Sequence, residues 1–169
     1  MVFSYYNRLT RAQQRIYRLS DEVSAISVPP IGLLRQLVEV VEAALRREDR
    51  QGTEAACQRL VSVLSAGLKV RSVRVEVLAV RPSRSWGELH GLYTSGEGHG
   101  SPTIVIWMRT ARRRQVVALR TFLRTLIHEL CHHLDFELLG LPESFHTEGF
   151  YKRESSLVHQ LMDRKSGVI

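Results

Sequence analysis

Cysteine is nearly absent from this chain: Cys57 and Cys131 are the only two in 169 residues, and they are too far apart for a C-x-x-C pair. That excludes a disulfide-stapled scaffold and leads us to expect reduced thiols and a cytoplasmic protein. Lysine is also scarce, with Lys69, Lys152 and Lys165 the only three among 24 cations, so the positive charge is carried by arginine. No apolar run approaches the roughly 20 residues that a membrane-spanning helix needs, so no membrane partner is expected. The first residues, Met1 to Arg8, lack the basic-then-apolar order of a secretory leader. Internal repeats and low-complexity tracts are missing as well.

What remains is an ordinary globular composition. At 169 residues and 44% apolar, the chain suits one domain, 1–169, with a hydrophobic core of its own. The net charge of +7 is concentrated locally, most visibly in Arg112-Arg113-Arg114. Such a patch suits the phosphate backbone of DNA, and it equally suits an arginine-rich solvated surface. DNA is therefore a candidate partner, and oligomeric state is left open.

The apolar period divides the chain into two parts. Residues 1–66 read as helical. Leu9, Ile16, Leu19 and Val23 predict a helix from about 4 to 25, ended by Val28-Pro29-Pro30. Leu34, Leu37, Val38, Val41 and Leu45 predict a second over 31–48, and Ala56, Leu60, Val63 and Leu64 a third that opens near Gly52. From about residue 70 to 169 the pattern is that of a small sheet with two further helices. Val73, Val75 and Val77 alternate with charged residues, Glu88 to Thr94 fits a second strand, and Thr103 to Met108 fits a third. A long apolar-faced helix is expected from about Gln115 to Leu139, closed by Gly140 and Pro142, and a last one from about Thr147 to Arg164.

The long helix carries His128-Glu129-Leu130-Cys131-His132. With seven histidines in the chain, a shuffled sequence would hold H-E-x-x-H roughly 0.02 times, so chance is a poor account of it. Four residues of helix place His128 and His132 on one face, one turn apart, which suits two ligands of one tetrahedral Zn2+. Glu129 is turned by about 100° from His128, beside the metal without being a ligand. There it can act as catalytic base on a zinc-activated water.

The third ligand has several candidates. Asp135 and Leu138 stand where a metzincin has its glycine and third histidine, so that pattern is excluded. Glu154 on the last helix, Glu148 on the same helix, and His146 just before it are the alternatives. The run from Thr125 to Leu157, with H-E-x-x-H and then His146-Thr147-Glu148-Gly149-Phe150, resembles the SprT-like (Spartan-related) zinc metalloprotease family. In the family's H-G-x-x-F segment the glycine directly follows the histidine; here it is displaced to Gly149.

The resemblance implies His128, His132 and His146 as zinc ligands, Glu129 as base, and a compact α+β zincin-type fold. In that fold a small sheet of three or slightly more strands packs on the central motif helix, with the N-terminal helices added. It also implies hydrolysis of peptide bonds in a protein or peptide substrate, and permits action on DNA-associated proteins. A non-proteolytic DNA- or partner-binding module with a structural zinc is the alternative, with Cys131 or Asp135 as a fourth ligand.

Neighbouring residues carry lesser expectations. Asp135 is placed to hydrogen-bond a ligand imidazole, and His133 points away from the site. Tyr151 is a candidate donor to a developing oxyanion, and His99 lies in a glycine-rich loop that could border the cleft. Thr103 to Met108 is the strand expected to bind extended peptide along a free edge.

Overall fold

Thr10 divides the first expected helix in two. Its side chain accepts from the Gln13 amide while the Gln13 side chain accepts from the Thr10 amide, a reciprocal capping box that starts a new helix there. Before it lies a short 3-10 turn, Ser4–Arg8, and after it helix α1, Arg11–Glu22. The computed structural model describes residues 1–28, 30–85, 87–98 and 100–163. Pro29, His99 and Arg164, each used in the sequence reading, lie outside the described residues.

Helices α2 (Ile31–Arg46) and α3 (Arg50–Gly67) pack on each other through the expected stripes. Asp49 caps α3 by accepting from the Gly52 amide at 2.9 Å. Among the described residues five strands follow: β1 (Arg74–Val80), β2 (Ser83–Arg84), β3 (Gly87–Glu88), β4 (Gly91–Thr94) and β5 (Thr103–Arg109). The main sheet has the order β1-β5-β4, with β1 parallel and β4 antiparallel to β5, while β2 and β3 form a separate small ladder. Strand β5 is thus the central strand, paired on both sides, and Thr103 to Met108 cannot offer a free edge. The edges are β1 and β4; on β1 the Val75 and Val77 amides donate to Gln58 and Glu54 of α3, which leaves β4 as the open one.

Helix α4 (Leu119–Glu137) starts four residues later than its periodicity suggests. Val116 and Val117 are held extended instead, Val116 bridging Arg109 and the Val117 amide donating to the Met108 carbonyl at 2.9 Å. Helix α4 packs on β4 and β5 and is flanked by α5 (Glu148–Met162). The molecule is α+β: five α-helices and a small mixed sheet around one contiguous apolar cluster. Leu34, Val41, Leu60, Val77, Ile104, Phe122, Leu126, Ile127 and Leu157 are all in it. Each such side chain contributes about 1.5–3 kcal/mol by leaving water. Among the described residues no helix is long and apolar enough to cross a membrane.

Helix α5 reaches the site by passing very close to α1. The Gly149 amide donates to Asp21 Oδ1 at 2.7 Å, and a Cβ built on Gly149 would lie 2.5 Å from the Asp21 carbonyl oxygen and 2.7 Å from its Cα. Those are backbone atoms that cannot step aside, so the displaced glycine of the sequence is the one residue that lets the two helices meet. Gly149→Ala should therefore lower the free energy of unfolding by about 1–3 kcal/mol. Urea denaturation of both proteins checks this, and an unchanged midpoint would mean that the contact is slack.

Candidate metal centre

Three histidines converge at the junction of α4 and α5. Helix α4 sets His128 and His132 one turn apart. Gly140, in the left-handed region at φ 64°, then ends the helix and turns the chain so that His146 returns to the same point before α5 begins. One ring nitrogen from each of His128, His132 and His146 lies within 4.8 Å of the others, and the Nε2 atoms of His132 and His146 are 3.0 Å apart. A tetrahedral zinc with bonds of about 2.0–2.1 Å separates its nitrogen ligands by roughly 3.3 Å. The three histidines lie close enough to hold a metal ion.

Their orientation is set from behind. His128 Nδ1 donates to Glu154 Oε2 at 2.8 Å, and Glu154 also accepts from Arg124 at 2.7 Å. His132 Nδ1 donates to Ser144 Oγ at 2.7 Å, and Ser144 in turn donates to Asp135 Oδ2 at 2.6 Å. With both Nδ1 positions engaged, the Nε2 lone pairs are the ones turned inward. The Phe150 ring supplies an apolar floor, with its centroid 5.1, 4.8 and 5.1 Å from those of His128, His132 and His146. Burial pushes His132 down to about 3, helped by His146 and His128, and burial lowers His146 too. Neutral imidazoles are what a metal requires.

Glu154, a rival third ligand in the sequence, stands behind His128 instead. Burial opposes its charge, but the hydrogen bonds from His128 and Arg124 outweigh that and hold its carboxyl below the usual range. Glu148 is farther out and pairs with Lys152 at 2.9 Å. Asp135 meets its ligand imidazole through Ser144 rather than directly. Its other oxygen accepts from Arg153 Nη2 at 2.8 Å, and both side chains are 0% exposed.

Cys131 is part of the apolar core, where burial raises its thiol far above the ordinary range. His133 has a structural place: its Nε2 donates to the Arg71 carbonyl at 2.6 Å and its Nδ1 accepts from the Tyr93 hydroxyl at 3.1 Å. Arg112, Arg113 and Arg114 are exposed on the loop after β5.

Glu129 is 7% exposed and lies between the histidines and β4. Burial raises its carboxyl to about 6, with His128 and the Tyr93 amide working the other way. Two hollows of about 390 and 420 Å³ flank it and share Gly91, His128 and Glu129. One runs toward His90, Arg124 and Tyr151, the other toward Tyr93, Phe136 and His146. Together they form a groove along the open edge of β4 with the histidines at its middle. Tyr151 is 42% exposed and faces the first hollow.

Several contributors carried no readable signal in the sequence. Ser144 is a lone serine in a loop, and Arg153 reads as one more surface arginine on an amphipathic helix. Tyr5 donates its hydroxyl to the His146 carbonyl at 2.7 Å from 141 residues away. Tyr5 also packs on the fully buried Tyr17, with ring centroids 5.8 Å apart. Phe150 alone had a hint, being part of the segment that resembles the family motif.

Metal titration separates these roles. His146→Ala should lose stoichiometric zinc, whereas Glu154→Gln should still bind one equivalent about 10- to 100-fold more weakly. Complete loss in the Glu154 variant with retention in the His146 variant would reverse the assignment. Arg153→Met, which leaves Asp135 buried and unpaired, should cost about 3–5 kcal/mol of stability by calorimetry or urea titration.

No family model, curated protein or solved structure matches this chain. Its functional reading rests on the geometry of the site.

Proposed function

We propose that this chain is a zinc-dependent metallopeptidase of the zincin type, related to the SprT-like family. One observation carries the reading: three histidine ring nitrogens converge beside a buried carboxylate, and the point of convergence opens into a groove. Bound there, a zinc ion would supply activation of water near neutral pH and stabilisation of negative charge on a carbonyl oxygen. His128, His132 and His146 would hold it. Glu129 takes the proton from the attacking water and passes it to the leaving amine, a task favoured by a carboxyl pK near the working pH. The groove along β4 has room for an extended chain on both sides of the site, and Tyr151 stands at its rim, within reach of the cleft as a hydrogen-bond donor.

A structural zinc in a binding module is the competing reading. Structural sites are usually four-coordinate and closed. Here Cys131 is in the core and Asp135 is engaged by Arg153 and Ser144, which leaves three histidines facing open space and favours the enzyme. Action on DNA-associated proteins is a refinement of the proposal, supported by the exposed arginines after β5. Cytoplasmic residence belongs to the same reading, since Cys57 and Cys131 are buried free thiols.

Zinc-loaded protein should cut a flexible protein substrate, and Glu129→Gln should slow cleavage by about 10²- to 10⁴-fold while retaining its zinc. Fragments can be followed by gel and mass spectrometry, with and without single-stranded DNA. Equal, undetectable cleavage by both proteins would sink the peptidase proposal. Cleavage that ignores DNA would remove the refinement alone.

A further inference from the structure

Gly91 sits where its own backbone makes no demand for glycine. It is an ordinary strand residue of β4, paired with Ile106, and is not among the residues with positive φ. Glycine weakens a strand interior, so its presence there needs another cause. The cause lies across the gap to α4. A Cβ at position 91 would stand 2.6 Å from Glu129 Oε1, 2.8 Å from its Cγ and 3.0 Å from its Cδ. Residues 91 and 93 share one face of the strand, and the Tyr93 ring on that face packs against His132 and Phe136. The space that a side chain at 91 would fill is the space that Glu129 occupies.

The Tyr93 backbone adds the second half of the device. Its amide lies beside the Glu129 carboxyl and favours the charged form, in the strand that forms one edge of the sheet. We propose that Gly91 and the Tyr93 amide are positioning residues for Glu129: the first leaves the room, the second fixes the direction. The role rests on the reading of Glu129 as the base. It also makes β4 serve the site twice, because Tyr93 holds Glu129 with its amide and flanks His132 with its ring.

The contrast with Gly149 sharpens the expectation. A methyl at 149 meets backbone, whereas one at 91 meets the Glu129 side chain from Cγ outward, which can rotate away only by giving up its place. Gly91→Ala should therefore leave the fold and the three histidines intact and displace Glu129.

Three measurements on the zinc-loaded protein test this. Gly91→Ala should bind one zinc with an affinity within about twofold of wild type, while kcat falls about 100-fold with little change in KM, the scale expected when a catalytic group is misplaced by an ångström. Introduced into Glu129→Gln, the same change should produce no further loss. Independently of activity, the Tyr93 amide should be protected from hydrogen exchange in wild type and exchange about tenfold faster or more in Gly91→Ala and in Glu129→Ala. Zinc loss in Gly91→Ala, an unchanged kcat, or the same Tyr93 protection in all three proteins would overturn the assignment. If wild type shows no Glu129-dependent cleavage, the peptidase reading fails, and Tyr93 exchange still decides whether the strand holds the carboxylate.

Discussion

The ion pair between Asp135 and Arg153 joins the folding of this protein to the geometry of its three-histidine cluster. A guanidinium with no exposure to water is costly unless its donors are engaged. Nη1 and Nη2 of Arg153 donate to the Ser20 and Val23 carbonyls at the end of α1, to Ser20 Oγ, and to Asp135, while its Nε is buried without a partner among the described residues. The first contacts are made with carbonyls at a helix C-terminus, where a cation is favoured. The last one fixes Asp135, which fixes Ser144, which fixes His132. An N-terminal helix that touches no ligand is thereby part of what aims one.

The N-terminal segment contributes a second brace through Tyr5 on the His146 carbonyl. His146 lies in a loop, and loops drift unless something holds their backbone. His128 and His132 gain their spacing from one helix, but His146 has to be brought to them, and Tyr5, Phe150 and the cap at Thr147 do that together. Thr147 accepts from the Phe150 amide at 2.9 Å, setting the start of α5 at Glu148, two residues after His146.

Around the histidines the polarity is graded. Phe150 and the core lie beneath, the carboxylates of Glu154 and Asp135 stand behind two of the imidazoles, and the third direction is open groove. Burial favours the neutral forms of His132 and His146, and Glu154 and the Ser144–Asp135 pair fix the orientation of His128 and His132 from behind. One approach to the three histidines is left free.

Much of this protein was legible along the chain, and the division follows the range of the forces. Helices α2, α3 and α5, strand β5, and the facing of His128, Glu129 and His132 all come from periods of a few residues, repeated within each element. The break at Thr10 was equally local and lay in the Thr-x-x-Gln box. Strand order was not legible: Thr103 to Met108 has the apolar pattern of a covered strand, but nothing in it says that β4 lies on its far side. Nor could spacing choose among His146, Glu148 and Glu154, all within reach of the motif helix. That choice was made by packing: Gly149 lets α5 lie against α1, and this turns Glu154 to the back of His128 and leaves His146 at the front. The sequence by itself determined which helix face could hold a metal, because a helix turn is a local property. Only the tertiary structure decided what completes and aims that face, because Tyr5, Gly91 and Arg153 acquire their partners only when distant segments are packed together.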